Sequence, residues 1–556
     1  LLFGNLDPRH QNGTQVESLK LKFDNLFPYE TIREEQKTAI EFALETFVNS
    51  NKKFVVIEAG TGVGKSAIGY TVAQYLNGLG KETEDFINGA YFLTTQKILQ
   101  DQYIKDFKNY GMSSIKSSSN YMCKYKKHNT CSDSQKELRT EEQGTKFWNA
   151  CAFNCVYKKE KEKFLNSKLS VTNFPYFLTE AAYSGKITSR KFLVIDEAHN
   201  IESELSKFIE VSVSETFAKN SLKIKMPDVK TQFQAYKWIK DEYYPKILSN
   251  VRHVESMLEK FKGLKTKLKD FVSLSRQLDL LKNHHKKIEK FLATYDKENW
   301  VFELHPAYDR KGRRLEFKPI DVSPYAEPIL FRLGEKVLMM SATILNKRGF
   351  CETLGITNDD VDFISIDSPF PKKNRPIFFC PIGKMSSSEI EKTLPKLAKA
   401  VESILERHKG EKGIIHAHSY RIANYLKKNL RNSRILIHDS SNREEVLKKH
   451  ISSKKPTVLL SPSMTEGIDL KDDASRFQIL CKVPYPYLGD KLVKKRMNRW
   501  KWWYPMQTAK SIVQSVGRSV RNTEDFAVTY ILDADWDRFL KRSQAFFPDD
   551  FKDCLK

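Results

Sequence analysis

Residues 53–76 read KFVVIEAGTGVGKSAIGYTVAQYL: an unbroken apolar run, a glycine-rich turn and a helix-forming segment in immediate succession. An apolar run without polar alternation suits a strand buried on both faces, as in a parallel sheet covered by helices. In such sheets ligands collect beyond the carboxyl ends of the strands, which is where this turn stands. Gly60, Gly62 and Gly64, with Thr61 between them, let the backbone curl so that successive N–H groups face a phosphate. Lys65 can reach the β- and γ-phosphates of a nucleotide, and the Ser66 hydroxyl can ligate Mg²⁺. Ala59 stands where this motif usually carries its first glycine.

A second half of such a site lies further along, in FLVIDEAHN at residues 192–200. Asp196, just past another buried run, can hold Mg²⁺, and Glu197 is placed to polarise an attacking water. Three more segments follow runs of the same type: SATI at 341–344, SMTEGIDL at 463–470 and QSVGRSVRN at 514–522. The last puts Gln514, Arg518 and Arg521 at three- and four-residue steps, on one helical face. Arginines so placed can stabilise charge on a transferred phosphoryl group.

Apolar runs alternate with helical patterns along most of the chain, which predicts an α/β class. At 556 residues more than one domain is expected. Hydrophobic residues at 40% and charged residues at 29% suit a globular protein. No apolar run has the length of a membrane span and no stretch has the form of a signal peptide, so an intracellular setting without a membrane is expected. The net charge of +24 favours polyanionic partners.

Two regions break the rhythm. Residues 111–165 are polar, lysine-rich and hold Cys123, Cys131, Cys151 and Cys155; residues 212–311 read as a helical hairpin. The cysteine spacing, C-x7-C-x19-C-x3-C, matches neither a paired zinc site nor a ferredoxin pattern. Spacing therefore leaves zinc and iron–sulfur level. Eight cysteines in the whole chain are too sparse for a disulfide scaffold.

Taken in order, FPYETIREEQ, EAGTGVGKS, YFLTTQKILQDQ, the four cysteines, VTNFPYFL, VIDEAHNIE, LMMSATI, IIHAHSY, TEGIDLKD, KVPYPYLGD, QSVGRSVRN and YILDADW resemble the superfamily 2 helicases of the iron–sulfur group that includes XPD and DinG. That resemblance implies two RecA-like parallel-sheet domains, with an iron–sulfur insert and a helical, arch-like insert in the first. The expected boundaries are 1–110, 166–211 and 312–346 for the first domain, 111–165 and 212–311 for the inserts, and 347–556 for the second. It implies ATP and Mg²⁺ in the cleft between the domains and a [4Fe–4S] cluster on the four cysteines. Arg33, Gln36, Gly467 and Asp469 join the nucleotide contacts, and Thr94, Thr95, Gln96, Phe174 and Tyr176 fall to DNA. The implied activity is 5′→3′ translocation on single-stranded DNA with unwinding of forked or tailed duplexes, by a monomer. Lysines around the cysteines (Lys124, Lys126, Lys127, Lys158, Lys159) would hold phosphates near the insert, making it a wedge. Trp502, Trp503 and Tyr504 read as packing anchors rather than DNA contacts.

Overall fold

The computed structural model describes residues 23–79, 82–307, 312–439, 442–462, 470, 472–517, 519–520 and 522–556. Five strands open the first domain: β1 (Phe54–Ala59), β2 (Ile87–Thr94), β3 (Met112–Ser114), β4 (Leu169–Asn173) and β5 (Arg190–Asp196). Three more, β6 (Val211–Ser214), β7 (Trp300–His305) and β8 (Arg314–Pro319), form a small antiparallel sheet of order β6-β8-β7. The chain then returns with β9 (Gly334–Ser341) and β10 (Val361–Ile366), completing a seven-stranded sheet of order β10-β1-β9-β5-β2-β4-β3. Every neighbouring pair in it is parallel.

The continuous apolar runs follow from two buried faces. Val56, Leu93, Leu193, Ile195, Val337 and Met339 enter one core, while Val55, Ile57, Phe92, Val194, Leu338 and Met340 enter another on the opposite face. Each side chain so buried contributes about 1.5–3 kcal/mol, so neither face tolerates a polar residue without a partner.

A second parallel sheet is built from β11 (Ile377–Gly383), β12 (Gly413–His416), β13 (Ile435–Ile437), β14 (Val458–Ser461), β15 (Phe477–Leu480) and β16 (Val528–Asp533), in the order β11-β16-β15-β12-β14-β13. The fold is thus α/β with two parallel-sheet domains.

The polar cysteine region folds as an excursion between β3 and β4, made of the short helices Cys131–Glu137, Lys146–Phe153 and Val156–Asn166. Thr130 and Thr145 cap the first two by accepting from the N–H groups of Asp133 and Trp148. The expected hairpin is present as helices Tyr244–Phe261 and Leu268–Thr294, packed through Val251, Val254, Leu258, Leu278 and Leu281. Its long helix reaches the cysteine excursion by the ion pairs Arg276–Asp133 (2.6 Å) and Arg139–Asp279 (3.4 Å). Both pairs are largely solvated and each is worth about 1 kcal/mol or less.

Two expected boundaries need correction. The region drawn at 212–311 is not purely helical, because β6, β7 and β8 carry its base. Val211, Val213, Trp300, Phe302, Leu315 and Phe317 point into its core at alternate positions. β7 and β8 form a local antiparallel hairpin, but β6 joins β8 from about 100 residues earlier, so that pairing leaves no local signature. β8 therefore belongs with the insert and not with the segment 312–346. The first domain also runs past 346, since β10 pairs with β1 from Phe54↔Val361 to Ala59↔Ile366.

Candidate nucleotide cleft and cysteine pocket

The glycine turn follows β1 and leads into helix Lys65–Leu79. Gly62 and Gly64 take φ of +90° and +86°, the left-handed region that glycine enters without strain. A Cβ at Gly62 would overlap the Phe370 ring, and one at Gly64 would meet the Gln36 amide. Arg33 Nη2 donates to Val63 O (2.8 Å), and Arg33 N–H to Gln36 Oε1 (3.1 Å). Arg33 and Gln36 thus brace the turn from behind and do not line the cleft.

The cleft itself, of about 390 Å³, is lined by Gly60, Thr61, Gly62, Gly64, Lys65 and Ser66, by Asp196 and Glu197, and by Gln514 from the second domain. Asp196 is buried at the end of β5, accepting from Tyr103 Oη (3.2 Å) and from the Glu197 N–H (2.9 Å). Burial, then the neighbouring Glu197, raise its pKa to about 6, while Lys65 opposes them. Such a carboxylate gains from a cation beside it. Glu197 has φ +53°, a conformation costing a non-glycine residue about 1–3 kcal/mol and concentrated at functional sites.

His199 was not singled out from the sequence, although it stands in the quoted FLVIDEAHN. Its Nδ1 lies 2.7 Å from Ser341 Oγ and 3.3 Å from Glu197 Oε2. Gln514 Nε2 lies 2.9 Å from His199 Nε2 and donates to Thr343 Oγ1 (3.2 Å). The SATI segment, the acidic segment and the second domain therefore meet at one ring. Ser368, Phe370 and Arg375 also line the cleft, from the connection between the sheets, and no sequence signal pointed to them. Gly467, Asp469, Arg518 and Arg521 lie outside the described residues.

Among the expected DNA contacts, Thr95 and Gln96 stand partly exposed after β2. Thr94 is buried, and its hydroxyl donates to Gln96 O (3.2 Å), so it shapes the turn instead of meeting solvent. Phe174 and Tyr176 correct the stacking expectation. Phe174 is 0% exposed within the core, and Tyr176 is buried with its hydroxyl 3.1 Å from that of Tyr157. The apolar side of the short helix Phe174–Thr179 is consumed by packing on β2 and β4. Trp503 is buried as expected, while Trp500 and Trp502 donate to the Glu352 carboxylate (2.8 and 3.3 Å).

Cys123, Cys131, Cys151 and Cys155 are all buried and line one cavity of about 170 Å³. Burial, followed by the thiols of Cys123 and Cys155, pushes Cys151 up to about 11, while Cys123, despite its burial, is held below the ordinary value by hydrogen bonds from Ser134 and the Lys126 N–H. Among the described residues, no three of the four come within 4.8 Å of one another. Four thiols around one cavity are the donor set of a thiolate-held metal centre, which zinc and an iron–sulfur cluster share. Cys351, Cys481 and Cys554 are buried outside this cavity, and Cys380 is exposed.

Residues 30–240 match the family model described as type III restriction enzyme, res subunit, and residues 401–553 match that of the helicase C-terminal domain. A probable ATP-dependent helicase of Methanocaldococcus jannaschii is 22% identical, with 95% of each chain covered. The ATP-dependent DNA helicase YoaA of Haemophilus influenzae is 22% identical over 68% of this chain and 66% of its own length. The fold is shared with a structure titled XPD helicase (TM-score 0.60, 16% identity, 93% of this chain and 98% of the other). It is shared also with Xpd4 of S. tokodaii (TM-score 0.57, 15% identity, 94% and 99%). With its two parallel-sheet domains, glycine turn and acidic pair at one cleft, the chain is similar over nearly its whole length to XPD/DinG-like ATP-dependent helicases.

Proposed function

We propose that the chain couples ATP hydrolysis to 5′→3′ movement along single-stranded DNA and to the opening of forked or tailed duplexes inside the cell. One observation carries this reading: Lys65, Ser66, Asp196 and Glu197 from the first sheet share a cleft with Gln514 from the second domain. A nucleotide held there bridges both domains, so its hydrolysis changes what holds them together.

In this reading the turn N–H groups and Lys65 hold the β- and γ-phosphates, while Ser66 and Asp196 hold Mg²⁺, which neutralises phosphate charge. Glu197 accepts a proton from the attacking water, and His199 keeps its carboxylate aimed. Arg518 and Arg521 stabilise charge on the phosphoryl group in the transition state, and Gly467 and Asp469 complete the nucleotide contacts from the second domain. Thr95 and Gln96 contact DNA phosphates.

The four cysteines hold a [4Fe–4S] cluster. It supplies a covalent staple to an excursion whose polar sequence offers little apolar core. So fixed, the excursion serves as a wedge at the strand junction, with Lys124, Lys127, Lys158 and Lys159 exposed on its surface for phosphates.

The test uses one anaerobic preparation, assayed for DNA-stimulated ATPase and for strand displacement on 5′-tailed and 3′-tailed duplexes. Displacement from the 5′ tail alone is expected. Displacement only from the 3′ tail would reverse the polarity, and ATPase without displacement from either would leave a translocase that does not unwind.

A further inference from the structure

Large apolar side chains left open to solvent mark interaction sites when they gather in one place. On the cysteine excursion three large apolar side chains are exposed: Phe153 at 67%, Met122 at 57% and Tyr125 at 50%. Phe153 ends helix Lys146–Phe153, between Cys151 and Cys155, whose side chains both line the thiol cavity. Its backbone is fixed on each side by a buried cysteine, and the next N–H, of Asn154, closes on Ala150 O (2.9 Å). Trp148 of the same helix meets the Phe153 ring edge-on, with centroids 5.9 Å apart at 77°. The ring is therefore buttressed on one side while most of it stays in water.

Cations flank it. Lys158 and Lys159 are exposed in the first turn of helix Val156–Asn166, and Lys159 Nζ donates to Asn154 Oδ1 (3.0 Å). Lys124 lines the same cavity as Asn154. A protein partner's apolar patch would gain nothing from this lysine rim. A DNA nucleotide has a base π-face for the ring and backbone phosphates for the lysines.

We propose that Phe153 is a base-stacking platform at the strand junction, its open face taking a nucleobase of DNA while Lys158 and Lys159 take the flanking phosphates. This deepens the wedge reading and rests on it.

The experiment uses the full chain, purified anaerobically, and a 5′-tailed duplex carrying 2-aminopurine at the junction. The parent should change the probe's fluorescence on binding without nucleotide. Phe153→Ala should lose that change and unwind about 5- to 150-fold more slowly, as stacking worth about 1–3 kcal/mol per base requires. Phe153→Trp should retain signal and unwinding. Lys158→Ala with Lys159→Ala should weaken DNA binding and reduce its salt dependence. Iron content equal to the parent's in every variant separates these effects from loss of the cluster. Parent-like fluorescence and unwinding in Phe153→Ala would overturn the proposal. So would Phe153→Leu performing as well as Phe153→Trp, since bulk and not stacking would then suffice. A parent that unwinds neither tail overturns the helicase reading, and the fluorescence comparison still decides the stacking.

Discussion

Removing the His199 ring should slow hydrolysis while leaving ATP affinity nearly unchanged. The Gln514 amide nitrogen, 2.9 Å from His199 Nε2, has only protons to offer, so Nε2 is the acceptor and the ring proton sits on Nδ1. That proton is shared between Ser341 Oγ at 2.7 Å and Glu197 Oε2 at 3.3 Å. Glu197 already holds a left-handed backbone, so its carboxylate is placed against local preference by contacts such as this one. His199→Ala removes a restraint on that carboxylate and strands a buried Gln514 N–H, a loss of about 1–3 kcal/mol. If the loss falls on the transition state, kcat drops by about 5- to 150-fold. Gln514→Ala should cost less alone, because the ring keeps its contacts with Ser341 and Glu197. The double variant should resemble His199→Ala, with a coupling of about 0.5–3 kcal/mol. Steady-state ATPase with saturating single-stranded DNA gives kcat, and a fluorescent nucleotide gives Kd. Strictly additive losses would refute the bridge between domains, and equal losses in kcat and Kd would refute an effect confined to the transition state.

Glu197→Gln should bind ATP and DNA yet lose hydrolysis by orders of magnitude, and near-normal turnover would remove Glu197 from water activation. Cys123→Ser should lose iron and unwinding but keep part of the ATPase, whereas Cys351→Ser, in the apolar core of the first domain, should keep its iron; iron analysis of both separates ligand from bystander. Burial holds His284, His418 and His450 near pKa 4, against an ordinary 6.5. Unfolded chain takes up these protons below about pH 6.5 and the fold does not until about pH 4, so stability should fall as pH drops through that window. A melting temperature that stays flat from pH 7 to about 4.5 would contradict this.

Legibility tracked how local each feature is. The phosphate turn is set by glycines a few residues apart, and the acidic pair by one strand end, so both could be read directly. The four cysteines could be found but not assigned, because zinc and an iron–sulfur cluster draw on the same thiolate donors. In the sheet β6-β8-β7 the pairing of β6 escaped because two long helices separate it from β7 and β8. Phe174 and Tyr176 misled for a different reason: an aromatic residue at a strand end serves a core or a base equally well in sequence. Only burial separates the two uses, and here both rings are buried in the first domain's core, Tyr176 against Tyr157. The contacts made by Phe370, Ser368 and Gln514 depend on how two domains face each other, which no short pattern encodes.

The connection between the sheets is packed onto the phosphate turn. Gly60 N–H donates to Ile366 O (3.0 Å), where β10 ends, and Ser368 Oγ donates to Thr61 O (2.8 Å). The Phe370 ring lies so close to Gly62 that no Cβ fits, and it packs in turn with Val520 and Ala527 of the second domain. Arg375 then pairs with Asp550 at 3.1 Å. A turn that alters its curvature as phosphate binds or leaves must therefore move Phe370 or lose contact with it. Because Phe370 also touches the second domain, that movement passes directly into the relation between domains. On the opposite wall the His199–Gln514 bridge ties the same two domains to the water-activating carboxylate. In the proposed reading, closure of the cleft is favoured when phosphate fills the turn and Glu197 is aimed, and strand movement would be coupled to hydrolysis through these two contacts.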